Sequence, residues 1–222
     1  MPTTYDEIAR RIPLWLYAQN RDLVNEMPAV TEQAHEQLIN VMDHDLFRTL
    51  IPNLTLTEAE GGVLDLSTQT PRILEVRSIR INYRNGDDDW TPLQRRDLEM
   101  LTMLYARNRP NRPLYYAEYN GPLVMKAFPA PREDYSIEIT ANVEPPVISP
   151  ANQTNIITEQ FPRAMEKAVF RQAALFQKSW EDATIYEKEM MSAVTEANAQ
   201  TQRRRRDETE TKPVDTANVM GQ

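Results

Sequence analysis

The chain of 222 residues contains no cysteine, and this absence removes several classes of chemistry at once. Without thiols the protein has no disulfide framework, no thiolate nucleophile and no cysteine-based zinc site. Glycine is also scarce. The five glycines all fall where we predict turns or the C-terminal tail: Gly61, Gly62, Gly86, Gly121 and Gly221. None is left for a phosphate-binding loop, so neither a dinucleotide-binding motif nor a Walker loop is present.

Long apolar runs and an excess of basic charge are absent as well. No run reaches the roughly 18 to 20 apolar residues that cross a bilayer, and the first residues lack the pattern of a signal peptide. We therefore expect a soluble protein that is made in a cytoplasm and does not contact a membrane. The formal net charge is −8. General binding of nucleic acid is then unfavourable, because phosphate contacts need a basic face, and Arg203–Arg206 is the only strong local candidate.

Recognisable catalytic and metal-binding patterns are missing too. His35 and His44 fall on nearly opposite sides of one predicted helix, so they cannot share a metal ion and are expected at the surface. Asp87–Asp89 lacks the alternating ligands and distant glutamate of a calcium loop, and we interpret it as a solvated turn. With 33 acidic residues, chance pairs of carboxylates are certain, and none identifies a hydrolase. We expect no enzyme activity, no cofactor and no bound metal.

Two helices are predicted in the first 52 residues. Thr4 and Glu7 form a capping box that opens the first helix, and Pro13 is expected to end it. The second is predicted from about Pro28 to Phe47, because apolar residues recur there at helical spacing.

A long amphipathic helical pattern occupies the last third of the chain. Thr158 is its predicted cap, and Ser179 marks a fresh start or a kink. One apolar stripe is predicted to include Phe176 and to continue through Trp180 to Val194.

The region between the helical ends has the alternation and turn residues of β-structure. Two hairpins are predicted, one over 54–66 with its turn at Glu58–Gly62, and one over 114–128 with its turn at Asn120–Gly121.

Two further strands and one helix are predicted in this region. The strand over 72–83 changes its buried face near Arg77 and Ser78, which indicates either a bulge or a strand that changes partners. A helix is predicted at about 92–106, with Thr91 as its cap. The strand over 135–143 alternates regularly and is expected to bury one face.

This order of elements predicts an α+β fold. The N- and C-terminal helices are expected to form a helical bundle that carries an inserted β-rich, sandwich-like module. The predicted boundaries are 1–52 with 151–202 for the bundle, 53–150 for the insertion, and 203–222 for an extended partner-binding tail.

The run Arg203–Arg206 has three interpretations. It could dock onto acidic groups of a partner through bidentate guanidinium contacts, complement the dipole at a helix C-terminus, or bind nucleic acid. The tail that follows has almost no apolar residues, so it cannot bury enough surface to order itself. We therefore expect the tail, which includes Lys212, to order against another subunit or a partner protein.

One stretch of hydrophobic pattern resembles a known family. It includes the hairpin Tyr115–Phe128, the strand from Tyr135, Glu144-Pro145-Pro146, Thr158 ahead of Phe161-Pro162-x-Ala164-Met165, and the long helix with Trp180, Ala183, Tyr186 and Glu187. This half of the chain resembles the head-to-tail adaptors of short-tailed bacteriophages, also called tail tubular protein A. The first half is similar only in the order of its elements. Asn142 and Val143, the arginine run and the tail depart from the family pattern.

The resemblance implies a structural protein of the virion, with a helical bundle, an inserted β-module and no catalytic activity. Family members assemble as a ring of twelve subunits beneath the capsid portal and contact the tail nozzle or tail tube on the other side. DNA passes through the central channel without sequence readout, and the protein is assembled in the host cytoplasm. An acidic wall suits this role because it repels phosphates.

The resemblance also suggests which residues meet partners. We expect the C-terminal end to face the portal through Arg203, Arg204, Arg205, Arg206 and Lys212. The hairpin turns are weaker candidates for tail-side or neighbouring-subunit contacts: Glu58, Glu60, Asn120 and Gly121. Two alternatives stay open, a nucleic-acid-associated packaging protein that uses the arginine run and, less favoured, a carboxylate-based hydrolase.

Overall fold

A computed structural model describes residues 3–15, 21–83, 89–106, 109–121 and 123–209. Six α-helices and two four-stranded β-sheets are found in these ranges, so the fold class is α+β, as predicted. The chain divides into two compact units. Unit 1 comprises 1–43 and 147–222, and unit 2 comprises 44–146.

The elements follow one another in a simple order. The helices are α1 (Tyr5–Trp15), α2 (Arg21–Val41), α3 (Leu98–Tyr105), α4 (Ile156–Gln160), α5 (Pro162–Phe176) and α6 (Trp180–Thr209). The strands are β1 (Arg48–Leu56), β2 (Val63–Asp65), β3 (Ile73–Asn82), β4 (Trp90–Pro92), β5 (Gln94–Arg95), β6 (Tyr115–Glu118), β7 (Val124–Phe128) and β8 (Tyr135–Val143). Unit 1 is helical, and unit 2 contains both sheets and α3.

The predicted capping box of α1 is confirmed. The backbone N–H of Glu7 donates to the hydroxyl of Thr4 at 3.2 Å, and the Thr4 N–H donates to the Glu7 carboxylate at 3.3 Å. The predicted end at Pro13 is wrong, because α1 continues to Trp15. Likewise α2 begins at Arg21 and contains Pro28 within it.

The second helix ends earlier than predicted. α2 stops at Val41, and after a short 3-10 turn over His44–Phe47 the chain becomes β1. The helical spacing of apolar residues is overridden here because the backbone of β1 pairs antiparallel with β8, from Arg48 opposite Asn142 to Leu56 opposite Tyr135. His35, expected at the surface, is fully buried within α2.

The strands of unit 2 form sheets in the orders β1-β8-β3-β4 and β2-β7-β6-β5. The predicted hairpin over 114–128 is confirmed as the β6–β7 pair. The predicted hairpin over 54–66 is wrong, since β1 pairs with β8 and β2 pairs with β7. The predicted bulge in β3 is confirmed by a register shift between Val76 and Ser78.

One buried cluster takes apolar side chains from strands of both sheets, including Ile79, Ile137 and Met125. The prediction that β8 buries one face is incomplete, because Glu138 and Asn142 are buried as well. β8 lies between β1 and β3, and Arg80 on β3 pairs with the Glu138 carboxylate, which makes burial of that charge tolerable.

The helix predicted over 92–106 is shorter than expected. Residues 90–95 are extended because their backbone joins the sheets: the Leu93 N–H donates to the Ile79 carbonyl at 2.9 Å, and the Gln94 N–H donates to the Leu114 carbonyl at 3.1 Å. α3 therefore begins at Leu98, and Asp97, not Thr91, is its cap.

Two helix boundaries in the C-terminal half also differ. Asn155 caps α4 and Thr158 closes its capping box, so Thr158 is the partner and not the cap. The break near Ser179 is confirmed as the turn between α5 and α6.

The prediction of an extended tail from residue 203 is wrong for residues 203–209, because α6 continues through Arg203–Arg206 to Thr209. Arginine, glutamine and glutamate favour helix, and positive charge near a helix C-terminus complements its dipole. Residues 210–222, with Lys212, lie outside the described part of the chain, as do Asn85, Gly86, Asp87 and Asp88.

Candidate interaction surfaces

Helix α3 of unit 2 is apolar on both its inner and its outer side. Leu101 is buried against Ala117 and Phe128, and this contact holds the helix on the sheet. On the other side Met100, Met103 and Leu104 are 51%, 82% and 58% exposed. These three residues, which we call the α3 face, are spaced as i, i+3 and i+4 and therefore form one continuous row.

A groove of about 620 Å³ adjoins the start of α3. Its lining includes Arg95, Arg96, Asp97 and Glu118. Arg95 pairs with Glu118 at 2.6 Å, and the Asp97 carboxylate accepts the Met100 N–H at 3.1 Å as the helix cap. Arg96 donates to the Gln94 side chain at 3.1 Å, and no carboxylate among the described residues pairs with it. The groove thus combines apolar surface with one cation that is open to a partner's carboxylate.

The turn between α5 and α6 in unit 1 carries two exposed aromatic side chains. Phe176 is 43% exposed and Trp180 is 69% exposed, although both fall on the stripe that is predicted to continue from one helix into the next. We call this pair the turn face. The prediction fails because the stripe does not continue through the turn: α5 ends at Phe176, and Lys178 takes a positive φ of 60°.

Local hydrogen bonds hold the turn face in place. The N–H groups of Lys178 and Ser179 donate to the carbonyls of Leu175 and Ala174 at 3.0 Å and 2.9 Å. The Ser179 hydroxyl then bonds to Asp182 at 2.7 Å in the first turn of α6. These bonds satisfy groups at both helix ends, so the exposed aromatic rings sit on a fixed backbone.

The C-terminal end of α6 is bound to the end of α2 within unit 1. The Asn198 carboxamide accepts from the Asp43 N–H at 2.8 Å and donates to the Val41 carbonyl at 3.2 Å. Arg205 then pairs with the Asp43 carboxylate at 2.8 Å. Arg205, one of the predicted portal residues, therefore has a contact inside its own chain.

The other predicted portal residues are distributed differently. Arg203 is exposed on α6. The side chains of Arg204 and Arg206, and the whole of Lys212, lie outside the described residues.

The predicted tail-side residues are exposed in two separate turns of unit 2. The Thr57 hydroxyl donates to the Glu60 carboxylate at 3.0 Å, and the Glu58 N–H donates to Asp134 at 2.8 Å. Asn120 and Gly121 both have positive φ, as a tight turn before β7 requires.

These two turns adjoin different ends of β7. The Glu58–Gly62 turn meets its late part, where the Ala127 N–H donates to the Gly62 carbonyl at 2.9 Å, whereas Asn120 and Gly121 precede its start. The structure does not bring the two sets together.

A charged cluster in unit 2 was not predicted from the sequence. Asp45 is nearly buried in the 3-10 turn, pairs with Arg77, and lies 3.4 Å from Arg48. The Asn142 side-chain N–H₂ donates to Asp45 at 3.2 Å and to Glu75 at 3.3 Å. Two arginines balance two carboxylates, so the cluster braces the 3-10 turn against β3 and β8. The sequence shows the residue types but not the strand register that unites them.

Three tyrosines of unit 2 have a raised pKa. Burial raises the pKa of Tyr83, Tyr116 and Tyr135 above the ordinary value of 10.0. For Tyr135 the hydrogen bond to the Glu133 carboxylate at 3.0 Å adds to the pKa increase. These phenols are neutral in the folded protein near neutral pH and fill space in the core.

Within the described ranges, no group of three or more His, Asp or Glu residues is placed to hold a metal ion. No helix in that part of the chain is long and apolar enough to cross a membrane. Comparison with protein-family models finds no family that matches the chain, and comparison with curated proteins finds no matching relative.

Proposed function

We propose that this chain is a structural adaptor of a tailed-phage virion, which assembles as a ring of twelve subunits and joins the capsid portal to the tail. The observation that carries the proposal is that each unit exposes large apolar side chains on a fixed backbone, at the α3 face and at the turn face. Grouped apolar surface of this kind is typical of protein–protein interaction sites. Two such surfaces on one chain fit a protein whose work is assembly.

The order of the elements supports the same proposal. Unit 1 combines helices that precede and follow unit 2 in the sequence, and the phage adaptor resemblance implies this order of elements. In this proposal α2, α5 and α6 are the bundle, and the two sheets that share a core are the sandwich-like module.

Each subunit of the proposed ring has one end that faces the portal and one that faces the tail. The C-terminal end of α6 faces the portal, with Arg203, Arg204, Arg206 and Lys212 as contacts and Arg205 partly occupied by Asp43. The turns that hold Glu58, Glu60, Asn120 and Gly121 face the tail or a neighbouring subunit. The protein has no catalytic role, and its place is the neck of the virion after assembly in the host cytoplasm.

In this proposal DNA crosses the ring without sequence-specific contact. The net charge of −8 supports this role, since a negative wall repels phosphate groups. A packaging protein that grips DNA through the arginine run predicts the opposite: retention of duplex DNA at low salt that weakens steeply as salt is added.

Electron microscopy of the purified protein, alone and mixed with portal, tests the ring. We expect twelvefold rings in at least one of the two samples, with α6 ends at the portal. A protein that stays monomeric in both samples contradicts the proposal.

A matched set of arginine variants tests the portal contact. The triple variant Arg203→Ala/Arg204→Ala/Arg206→Ala keeps the Arg205–Asp43 pair and should weaken portal binding by about tenfold or more at unchanged thermal stability. Arg205→Ala serves as the control, because it removes an internal contact and one charge. If the triple variant binds portal as the parent protein does, the run is not the portal contact.

A further inference from the structure

We propose that the α3 face of one copy receives the turn face of a second copy, with Trp180 as the anchor and Glu181 opposite Arg96. This assignment rests on the ring proposed above and names the two surfaces that meet at each subunit boundary. It is a head-to-tail contact between unlike surfaces, and such contacts close into a ring when the rotation between copies closes.

The α3 face is the surface that most needs a cover. A helix that buries one side against a sheet normally presents polar residues on the opposite side, yet α3 contacts the sheet through Leu101 and leaves an outer apolar row in water. Two of the three residues in this row are methionines, Met100 and Met103. Flexible, polarizable side chains of this type adapt their packing to an inserted ring.

The turn face offers an aromatic anchor for this row. Trp180 is a large, rigid side chain that projects from the first position of α6, and tryptophan is the residue type most enriched among interface anchors. The adjoining groove, of about 620 Å³, has room for an indole ring beside Met100.

Charge favours a second copy as the occupant. Arg96 on the groove has no carboxylate partner among the described residues, since Glu118 is paired with Arg95 and Asp97 caps α3. Glu181 directly follows Trp180, is exposed, and has no ion-pair partner in the described part of the chain. When Trp180 enters the groove, the two unpaired charges of opposite sign come to the same rim.

The absence of cysteine allows a direct test by cross-linking single-cysteine variants. Glu99 lies one helical turn before Met103 on α3, and Thr184 lies one turn after Trp180 on α6; both are exposed. The Thr184 hydroxyl bonds only to the carbonyl four residues earlier, at 2.9 Å. Glu99→Cys and Thr184→Cys proteins, distinguished by a size tag, are mixed and treated with a short thiol–thiol cross-linker. An adduct then reports contact between molecules only.

Thr195→Cys supplies the matched control. Thr195 is also an exposed α6 threonine that bonds to the carbonyl four residues earlier, at 2.8 Å, but it lies about 16 Å further along the helix. We expect the Glu99→Cys/Thr184→Cys mixture to yield at least about five times more mixed adduct than the Glu99→Cys/Thr195→Cys mixture, because short cross-linkers respond steeply to distance. Equal yields overturn the assignment.

A charge exchange provides a second readout. Arg96→Glu and Glu181→Arg should each raise the dissociation constant for self-association by about tenfold, and the combination should return it to within about threefold of the parent value. Circular dichroism checks that each variant is folded. Failure of the combination to restore association overturns the Arg96–Glu181 contact.

The outcomes separate the contact from the ring. Rings in the micrographs without the mixed adduct overturn the surface assignment and leave the adaptor function standing. A mixed adduct with charge rescue but only open chains supports the surfaces and overturns the ring. If the Glu99→Cys thiol is protected only when portal or tail protein is added, the α3 face belongs to that partner, and the second-copy assignment is wrong.

Discussion

Asp45 and Arg205 show how single charged side chains are used inside each unit. Asp45 holds the 3-10 turn to β3 and β8 through Arg77 and Asn142, and Arg205 holds the end of α6 to Asp43. Their surroundings differ, because the Asp45 side chain is only 5% exposed whereas that of Arg205 is 45% exposed. Removing the buried charge should therefore matter much more than removing the exposed one.

Asp45→Ala should lower the free energy of unfolding by about 2 kcal/mol. This loss is smaller than for a fully buried ion pair, because both arginine partners are about one third exposed. Denaturant unfolding measures it. Arg72→Ala is the control, since Arg72 lies 3.4 Å from Glu144 and is 75% exposed, and we expect a loss below about 0.5 kcal/mol there. Equal losses in the two variants would show that the Asp45 cluster is not a brace.

Unit 2 should also lose stability at alkaline pH. Because burial raises the pKa of Tyr83, Tyr116 and Tyr135 above 10.0, the unfolded chain ionises first, so their contribution is complete below pH 10 and is lost as pH rises through the folded values. Thermal unfolding at pH 8 and pH 11 measures this effect. Tyr116→Phe, which cannot ionise, should lose less stability over that interval than the parent protein does.

At the scale of elements, α3 depends on few contacts. It has eight residues, one buried leucine and a single side-chain cap, Asp97. Short helices are marginal in isolation, so the cap and the Leu101 contact decide whether the α3 face is presented as a row.

Asp97→Ala should cost about 1 kcal/mol of local stability, because the Met100 N–H loses its acceptor. Hydrogen exchange at the Met100 and Leu101 amides should become faster in this variant. Glu99→Ala changes an exposed charge in the same turn and serves as the comparison. Unchanged exchange in the Asp97 variant would mean that packing alone fixes the start of α3.

The elements that could be predicted from the sequence are those set by local chemistry. The Thr4–Glu7 box, the β6–β7 hairpin and the β3 bulge are confirmed because caps, tight turns and alternation act over a few residues. Elements set by distant pairing could not be predicted in this way. The sequence of β1 has the pattern of a continued helix, but β1 pairs with β8 in the structure. Thr91 has the pattern of a helix cap, but the backbone beside it joins the sheets.

The same distinction applies to the candidate surfaces. The spacing of Met100, Met103 and Leu104 is visible in the sequence, but only the structure shows that the row faces solvent while Leu101 faces the sheet. For Phe176 and Trp180 the pattern places both side chains on the apolar side of a helix, but both are exposed, because helical periodicity does not continue through the Lys178 turn.

At the scale of the whole molecule, the two units differ in how the chain builds them. Unit 2 is one continuous segment with its own buried cluster, whereas unit 1 needs two segments that are distant in sequence. The apolar row of α2, which includes Val30, Ala34 and Leu38, is buried. α2 packs against α5, which follows unit 2 in the sequence.

A fragment of residues 44–146 should therefore fold alone with one cooperative thermal transition, because its core lies within that segment. Circular dichroism and dispersed amide resonances check this expectation. A fragment of residues 1–43 should be largely unfolded, since α2 lacks α5. If 44–146 melts without cooperativity, the division into units does not describe independent folding.

The interrupted layout of unit 1 has a consequence during protein synthesis. The nascent chain can complete unit 2 once residue 146 has left the ribosome, while α2, made earlier, still waits for α5 and α6. Translation of residues 147–222 takes roughly 4 to 15 s at usual elongation rates. Throughout that interval the apolar row of α2 is unprotected, so the elongation rate over residues 147–222 sets how long this row stays exposed to water.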